Sequence, residues 1–309
     1  MSQSIELVEV GMRDGFQSIH SIIPTGSKIA IMEALYAAGI RRFEATSFVN
    51  PAAVPQLADA VEIMRAASTF AGLDAQALVP TARQAERALT AGVRHIAFVF
   101  SVSPAHNQSN VRRSPTESID ELGRIIAASP AHIRLRINVA TAFDCPYLGR
   151  VSMDNTLACV ERVIELAPHA EIALCDTTGR VTPDHVGQLF QRAQERFPGV
   201  RWAFHAHDTY GFGIANVHAA WMNGIKAFDA SIAGLGGCPF APGATGNVAS
   251  EDVVWLFNSM GIRTGIEVDP LLVVARDLAA LPDAVTGGRI REAMAARCRG
   301  PAIQALSPG

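Results

Sequence analysis

A chain of 309 residues with 49% hydrophobic and 18% charged side chains can bury a large core and is too apolar to stay disordered. Lys plus Arg number 26 against 29 Asp plus Glu, and no basic block interrupts that balance, which argues against a nucleic-acid partner. No apolar run reaches the roughly 20 residues that span a bilayer, no signal or transit pattern opens the chain, and the five cysteines (Cys145, Cys159, Cys175, Cys238, Cys298) form no CxxC pair, so the expectation is a soluble, cytoplasmic protein with no membrane partner.

The first predicted strand is Ile5 to Gly11. Others begin at Arg41 (RRFEATS), Ala75 (AQALVP), His95 (HIAFVF), Ile133 (IRLRINVA), Glu171 (EIALCD), Val200 (VRWAFHAHD) and Lys226 (KAFDASIAG). Between them run segments with apolar residues at helical spacing, such as 25 to 39 and 182 to 197. Strand starts recur about every 30 residues, the size of a βαβ unit. Eight such units predict an α/β fold, a (β/α)8 TIM barrel over residues 1–265, with a helical extension over 266–309 packed on it. A doubly wound sheet is the alternative, but RDGFQ follows the first strand where a glycine-rich dinucleotide turn would stand.

Catalytic groups of such barrels sit at the C-terminal ends of strands. The first strand ends in GMRDGFQ, offering Arg13 and Asp14, which an isolated turn would leave as a surface ion pair. The second carries Glu44 in an apolar run, a costly place for a carboxylate without a cation beside it. The sixth ends in Asp176, a candidate site carboxylate or the cap of the next helix. The seventh ends in HAHD, and strand alternation points His205 and His207 to one side, as metal ligands often are. After the eighth comes AGLGGCPFAPGATGN, with Cys238 and Asn247 among five glycines. It reads better as a lid than as a phosphate loop, because no GxxxxGKS lysine is present. Cys159 and Cys175 read as structural. A carboxylate, two imidazoles and an amide oxygen make a mixed N/O site suited to Mg²⁺ or Mn²⁺, with Zn²⁺ less so.

From VEVGMRDGFQ through FEATSFVNPAAVPQLAD, CPYLG, DTTG and HAHDTYG to DASIAGLGGCPFAPGATGNVASEDVV, the chain resembles the 3-hydroxy-3-methylglutaryl-CoA lyases, barrel metallolyases with an RDG motif on the first strand. That resemblance implies a retro-Claisen lyase, a CoA-thioester substrate and an oligomer, with a homodimer the default. It implies that Asp14, His205, His207 and Asn247 bind the divalent metal and that Arg13 stabilises an enolate. Glu44, Asp176 and Cys238 would serve proton transfer or its support, and His205 would stand at the reacting centre as well.

The chain departs from the family pattern in several places. Met12 and Phe16 replace the Pro and Leu usual around RDG. After the fourth strand, SPAHNQSNVRRS, with Pro104, His106 and Gln108, replaces a Glu-aromatic-Lys-Asn step. After the fifth, Asn138, Val139, Ala140 and Thr141 replace Tyr-Val-Ser-Cys. These loops, Pro104 to Arg113 and Asn138 to Asp144, are expected to line the mouth and put the acyl group in question. Three rivals stay open. They are a condensing synthase, which usually has His-x-His-Asn-Asp, an amidohydrolase-type zinc enzyme, whose HxH belongs to the first strand, and a non-catalytic CoA-ester binder.

Overall fold

The computed structural model describes residues 3–237 and 246–299. Eight parallel strands close into a barrel: β1 Glu6–Glu9, β2 Arg42–Ser47, β3 Asp74–Leu78, β4 His95–Ser101, β5 Arg134–Ala140, β6 Glu171–Cys175, β7 Arg201–His205 and β8 Ala227–Ala230. Each strand pairs with its sequence neighbours, and β8 closes on β1 with Glu6 opposite Ala227. β2, buried at every position, illustrates why these runs are continuous: one face meets the barrel interior and the other meets helices.

Helices fill the crossovers: α1 Thr25–Ala37, α2 Ala60–Ala67, α3 Ala82–Thr90, α4 Pro104–Val111, α5 Pro115–Ala128, α6 Met153–Leu166, α7 Pro183–Arg196, α8 Gly213–Met222 and α9 Ser250–Ser259. α10 Val268–Ala279 and α11 Ile290–Arg299 extend the barrel. The approach of α10 to α1 depends on Gly39, at φ 108°, where a Cβ would stand 2.3 Å from the Gly265 carbonyl oxygen. α11 is tied down at its start by Asp252, whose carboxylate accepts from the Arg289 and Ile290 amides at 2.8 and 2.9 Å.

All eight predicted strands form, with differences at their ends. The first stops at Glu9, because Val10 turns to helical angles and Gly11–Gly15 close a π-helical turn. The seventh stops at His205, and His207 forms an isolated bridge with Asn247. The eighth stops at Ala230 and passes into a 3-10 turn over Ile232–Gly234. Part of the predicted Pro104 to Arg113 loop is helix α4, capped by the Ser103 hydroxyl accepting from the His106 amide at 3.3 Å. A short hairpin pairing Asp144–Cys145 with Gly149–Arg150 was not expected.

The aromatic core, including Phe143, Phe190 and Phe204 stacked edge to face, lies between strands and helices. The barrel interior is different. Ala173, Ala203 and Ala227 make it roomy, and charged groups cross it between strands that are not neighbours, as Arg42 of β2 does to Glu171 of β6 and Arg136 of β5 to Asp229 of β8.

Candidate active site

A cavity of about 520 Å³ opens at the C-terminal ends of the strands, its wall including Arg13, Asp14, Cys175, His205, His207 and Gly237. Arg13 and Asp14 reach it because of the π-helical turn. Gly11 is required there, since a Cβ would lie 2.6 Å from Glu9 Oε1 and 2.9 Å from Ser231 Oγ. Glu9 fixes the turn from below. Its Oε1 accepts from the Gly11 and Ile232 amides at 2.7 and 2.9 Å, and its Oε2 accepts from the Ser250 hydroxyl at 2.6 Å. Burial nevertheless pushes the Glu9 carboxyl up to about 7.

The Arg13 guanidinium is clasped by two carboxylates, donating from Nη1 to Asp14 Oδ1 and from Nε to Glu44 Oε1. Burial acts to lower its pKa, but Asp14 and Glu44 outweigh it and raise the value, so Arg13 is a fixed cation. Glu44 is fully buried and off the cavity wall, with Asn138 Nδ2 3.5 Å from its Oε2. The structure therefore brings Glu44 to Arg13 and not to the cavity itself.

His205 and His207 face each other with their Nε2 atoms 3.1 Å apart. His205 Nδ1 lies 3.0 Å from Asp229 Oδ2, and a proton on Nδ1 satisfies that carboxylate and leaves a lone pair on Nε2. Ligand atoms of Asp14, His205 and His207 all lie within 4.8 Å of one another. Asn247 completes the group. Its Nδ2 donates to Asp14 Oδ2 at 2.8 Å and to the Leu235 carbonyl at 3.1 Å, while its Oδ1 is buried without a partner among the described residues. A carboxylate, imidazole lone pairs and an orphaned amide oxygen form a cluster of acceptors short of donors, which is a donor set that fits a divalent cation.

The protonation states of Asp14 and His207 agree with this, whereas His205 holds a proton that a bound ion would displace. Burial acts to raise the Asp14 carboxyl, but Arg13, the two imidazoles and the Asn247 amide hold it well below the usual range. Burial, with His205 adding to it, lowers His207 to about 4, keeping that ring neutral. For His205, burial acts downward and the Asp229 carboxylate, with Asp14, more than reverses it.

Asp176 is placed differently from the expectation. It is buried, it is absent from the cavity wall that its neighbours Cys175 and Thr177 form, and its Oδ1 accepts from the Gly179 amide at 2.9 Å. Burial pushes it up to about 7. Its visible work is to hold the turn after β6, which was the alternative reading from sequence. Cys238 lies outside the described residues. Cys175, read as enclosed in its strand, lines the cavity with a thiol that burial pushes well above its usual pKa. Of the departing loops, His106, Asn110, Val111, Arg113, Asn138 and Ala140 line the cavity, whereas Pro104, Gln108 and Asp144 do not.

Asp229 and Arg136 escaped the sequence reading. The available signal was the one that singled out Glu44, a charge inside an apolar strand, present in KAFDASIAG and IRLRINVA.

The sequence pattern of the HMGL-like family matches residues 4–278. The chain is 37% identical over 296 residues to the hydroxymethylglutaryl-CoA lyase of Pseudomonas mevalonii, covering 96% of this chain and 98% of that one. It is 38% identical over 289 residues to the (R)-citramalyl-CoA lyase of Chloroflexus aurantiacus, covering 90% and 91%. A solved HMG-CoA lyase from Acinetobacter baumannii, in complex with coenzyme A and 3-methylmalate, superposes with a TM-score of 0.88 at 33% identity, covering 99% of this chain and 98% of that one.

Proposed function

This chain belongs to the HMGL-like family, and from that premise we propose that it is a divalent-metal-dependent carbon–carbon lyase cleaving a 3-hydroxy-3-methylglutaryl-CoA-like thioester to acetyl-CoA and a keto acid, acetoacetate for that substrate. The observation that carries the reading is the acceptor cluster of Asp14, His205, His207 and Asn247 standing beside the fixed cation Arg13. Those four residues would hold the ion, Mg²⁺ or Mn²⁺ by their hard-to-borderline donors. When bound, it supplies Lewis acidity toward the substrate's oxygens.

The remaining chemistry falls to the chain's own groups. A base takes the proton of the tertiary hydroxyl, the C2–C3 bond breaks, and its electron pair moves to the thioester as an enolate while C3 becomes the keto carbon. Arg13, pinned by Glu44, meets the negative charge that grows on the thioester oxygen without having to reorganise. Asp176 supports proton transfer by holding the turn after β6, which presents Thr177 to the cavity. Cys238, from sequence, is the donor that returns a proton to C2. A CoA-thioester partner is supported by the coenzyme A in the related solved structure. The barrel and extension boundary at 265/266, a cytoplasmic location and a homodimer belong to the same reading. No helix among the described residues is long and apolar enough to cross a membrane.

A second reading keeps the chemistry and changes the acyl group. It is favoured by the cavity-lining departures at His106, Asn110, Asn138 and Ala140 and by the relative named for citramalyl-CoA. A panel of 3-hydroxy acyl-CoA esters, with acetyl-CoA and the keto acid both identified, separates the two. Acetoacetate with the highest kcat/KM supports the first reading, pyruvate the second, and no acetyl-CoA from any ester removes both.

A further inference from the structure

Neither Asp229 nor Arg136 touches the cavity, yet both sit beneath the acceptor cluster and are almost wholly buried, at 1% and 0% exposure. Asp229 spends both carboxylate oxygens. Oδ2 stands 3.0 Å from His205 Nδ1, and Oδ1 accepts from Arg136 Nη2 at 2.6 Å. Arg136 in turn donates from Nη1 to Glu171 Oε1 at 2.8 Å and from Nε to Asn138 Oδ1 at 3.0 Å. Glu171 is held by Arg42 at 2.6 and 3.0 Å, and Arg42 reaches Glu6 at 2.9 Å. Charges of alternating sign thus run along the inside of the barrel from its N-terminal end to His205, in the space left by Ala173, Ala203 and Ala227.

We infer that Asp229, held in place by Arg136, is the positioning residue that aims His205 Nε2 into the acceptor cluster, and so sets how tightly this site holds its ion. The inference rests on His205 being a ligand, as read above. An imidazole can turn over about its Cβ–Cγ bond, exchanging Nδ1 for carbon and carrying Nε2 away from His207. A carboxylate fixed on the Nδ1 side removes that freedom and selects the tautomer with a free Nε2 lone pair. The carboxylate can do this only if it stays charged and still while buried, and the guanidinium of Arg136 provides both conditions. Glu171 shares the guanidinium charge from the other side, so Arg136 cannot follow a displaced Asp229 without losing a partner.

A purely structural ion pair would affect stability alone, so the test reads metal affinity and tautomer in the full chain stripped of metal. Titrated with Mn²⁺ by calorimetry, Asp229→Asn is expected to bind about 10- to 100-fold more weakly than wild type. Arg136→Lys, which keeps the charge and loses the fork, should fall between the two. In ¹⁵N spectra recorded at a pH high enough for the His205 ring to be neutral, metal-free wild-type His205 should carry its proton on Nδ1, and Asp229→Asn should lose that preference. A folded Asp229→Asn protein with wild-type Mn²⁺ affinity overturns the inference, as does a wild-type His205 protonated on Nε2 alone. Should the variants not fold, the wild-type tautomer decides. Failure of wild type to bind any Mn²⁺ removes the ligand reading itself and this inference with it.

Discussion

Arg13 is the residue where geometry and charge bear most directly on the chemistry, because two carboxylates fix its guanidinium at the cavity wall before any substrate arrives. Losing one such preorganised donor typically costs roughly 10² to 10³ in turnover. Arg13→Met should lower kcat by about that factor, with metal content by elemental analysis unchanged. A variant keeping most of its kcat would return Arg13 to a structural ion pair. Thiol chemistry offers a second test at this scale. Cys175 lines the cavity, but burial keeps it a thiol, and thiols alkylate slowly. Alkylating reagents should therefore inactivate the enzyme by modifying Cys238, with substrate giving protection. Peptide mapping that placed the label on Cys175 or Cys145 and left Cys238 untouched would contradict the role given to Cys238.

At the scale of elements, Glu9 clamps the end of β1 to the turn after β8 and to the start of α9, through Gly11, Ile232 and Ser250. Its carboxyl ionises at an ordinary value near 4.5 when unfolded and at about 7 when folded. The folded state therefore prefers the protonated form. That stabilisation is complete below pH 4.5 and is lost as pH rises through about 7, by roughly 1 to 3 kcal/mol. Glu9→Gln keeps an acceptor for the two amides and cannot ionise, so the fall in unfolding free energy between pH 4.5 and 7 should be smaller than in wild type by that amount. Denaturant melts across this range check it, and equal pH slopes would show that Glu9 does not titrate as described. The strands themselves were legible because each is a short apolar run buried on both faces and repeated at a regular interval. The π-helical turn was not, since Glu9, Ser231 and Ile232 enforce it from opposite ends of the chain. The hairpin of Asp144–Cys145 with Gly149–Arg150 was not either, being too short to carry a period.

Across the whole molecule, the barrel separates two kinds of information. Asp14, His205, His207 and Asn247 were readable because polar groups gather at strand ends, where a barrel has no structural need for them. Asp229 and Arg136 were not, because neither stands at the C-terminal end of its strand and the ion pair between them joins strands remote in sequence. Asp176 was readable as a residue and not as a location, since the same DTTG can point a carboxylate at the cavity or into its own turn. What the strand ends share is an acceptor cluster beside one fixed cation, and bond cleavage by this arrangement requires an ion in that cluster. The decisive measurement is acetyl-CoA release from 3-hydroxy-3-methylglutaryl-CoA by enzyme exhaustively stripped of metal, before and after adding Mg²⁺ or Mn²⁺. The expected result is release near background in the stripped enzyme and recovery with either ion. Full release by enzyme shown to be metal-free by elemental analysis would contradict it.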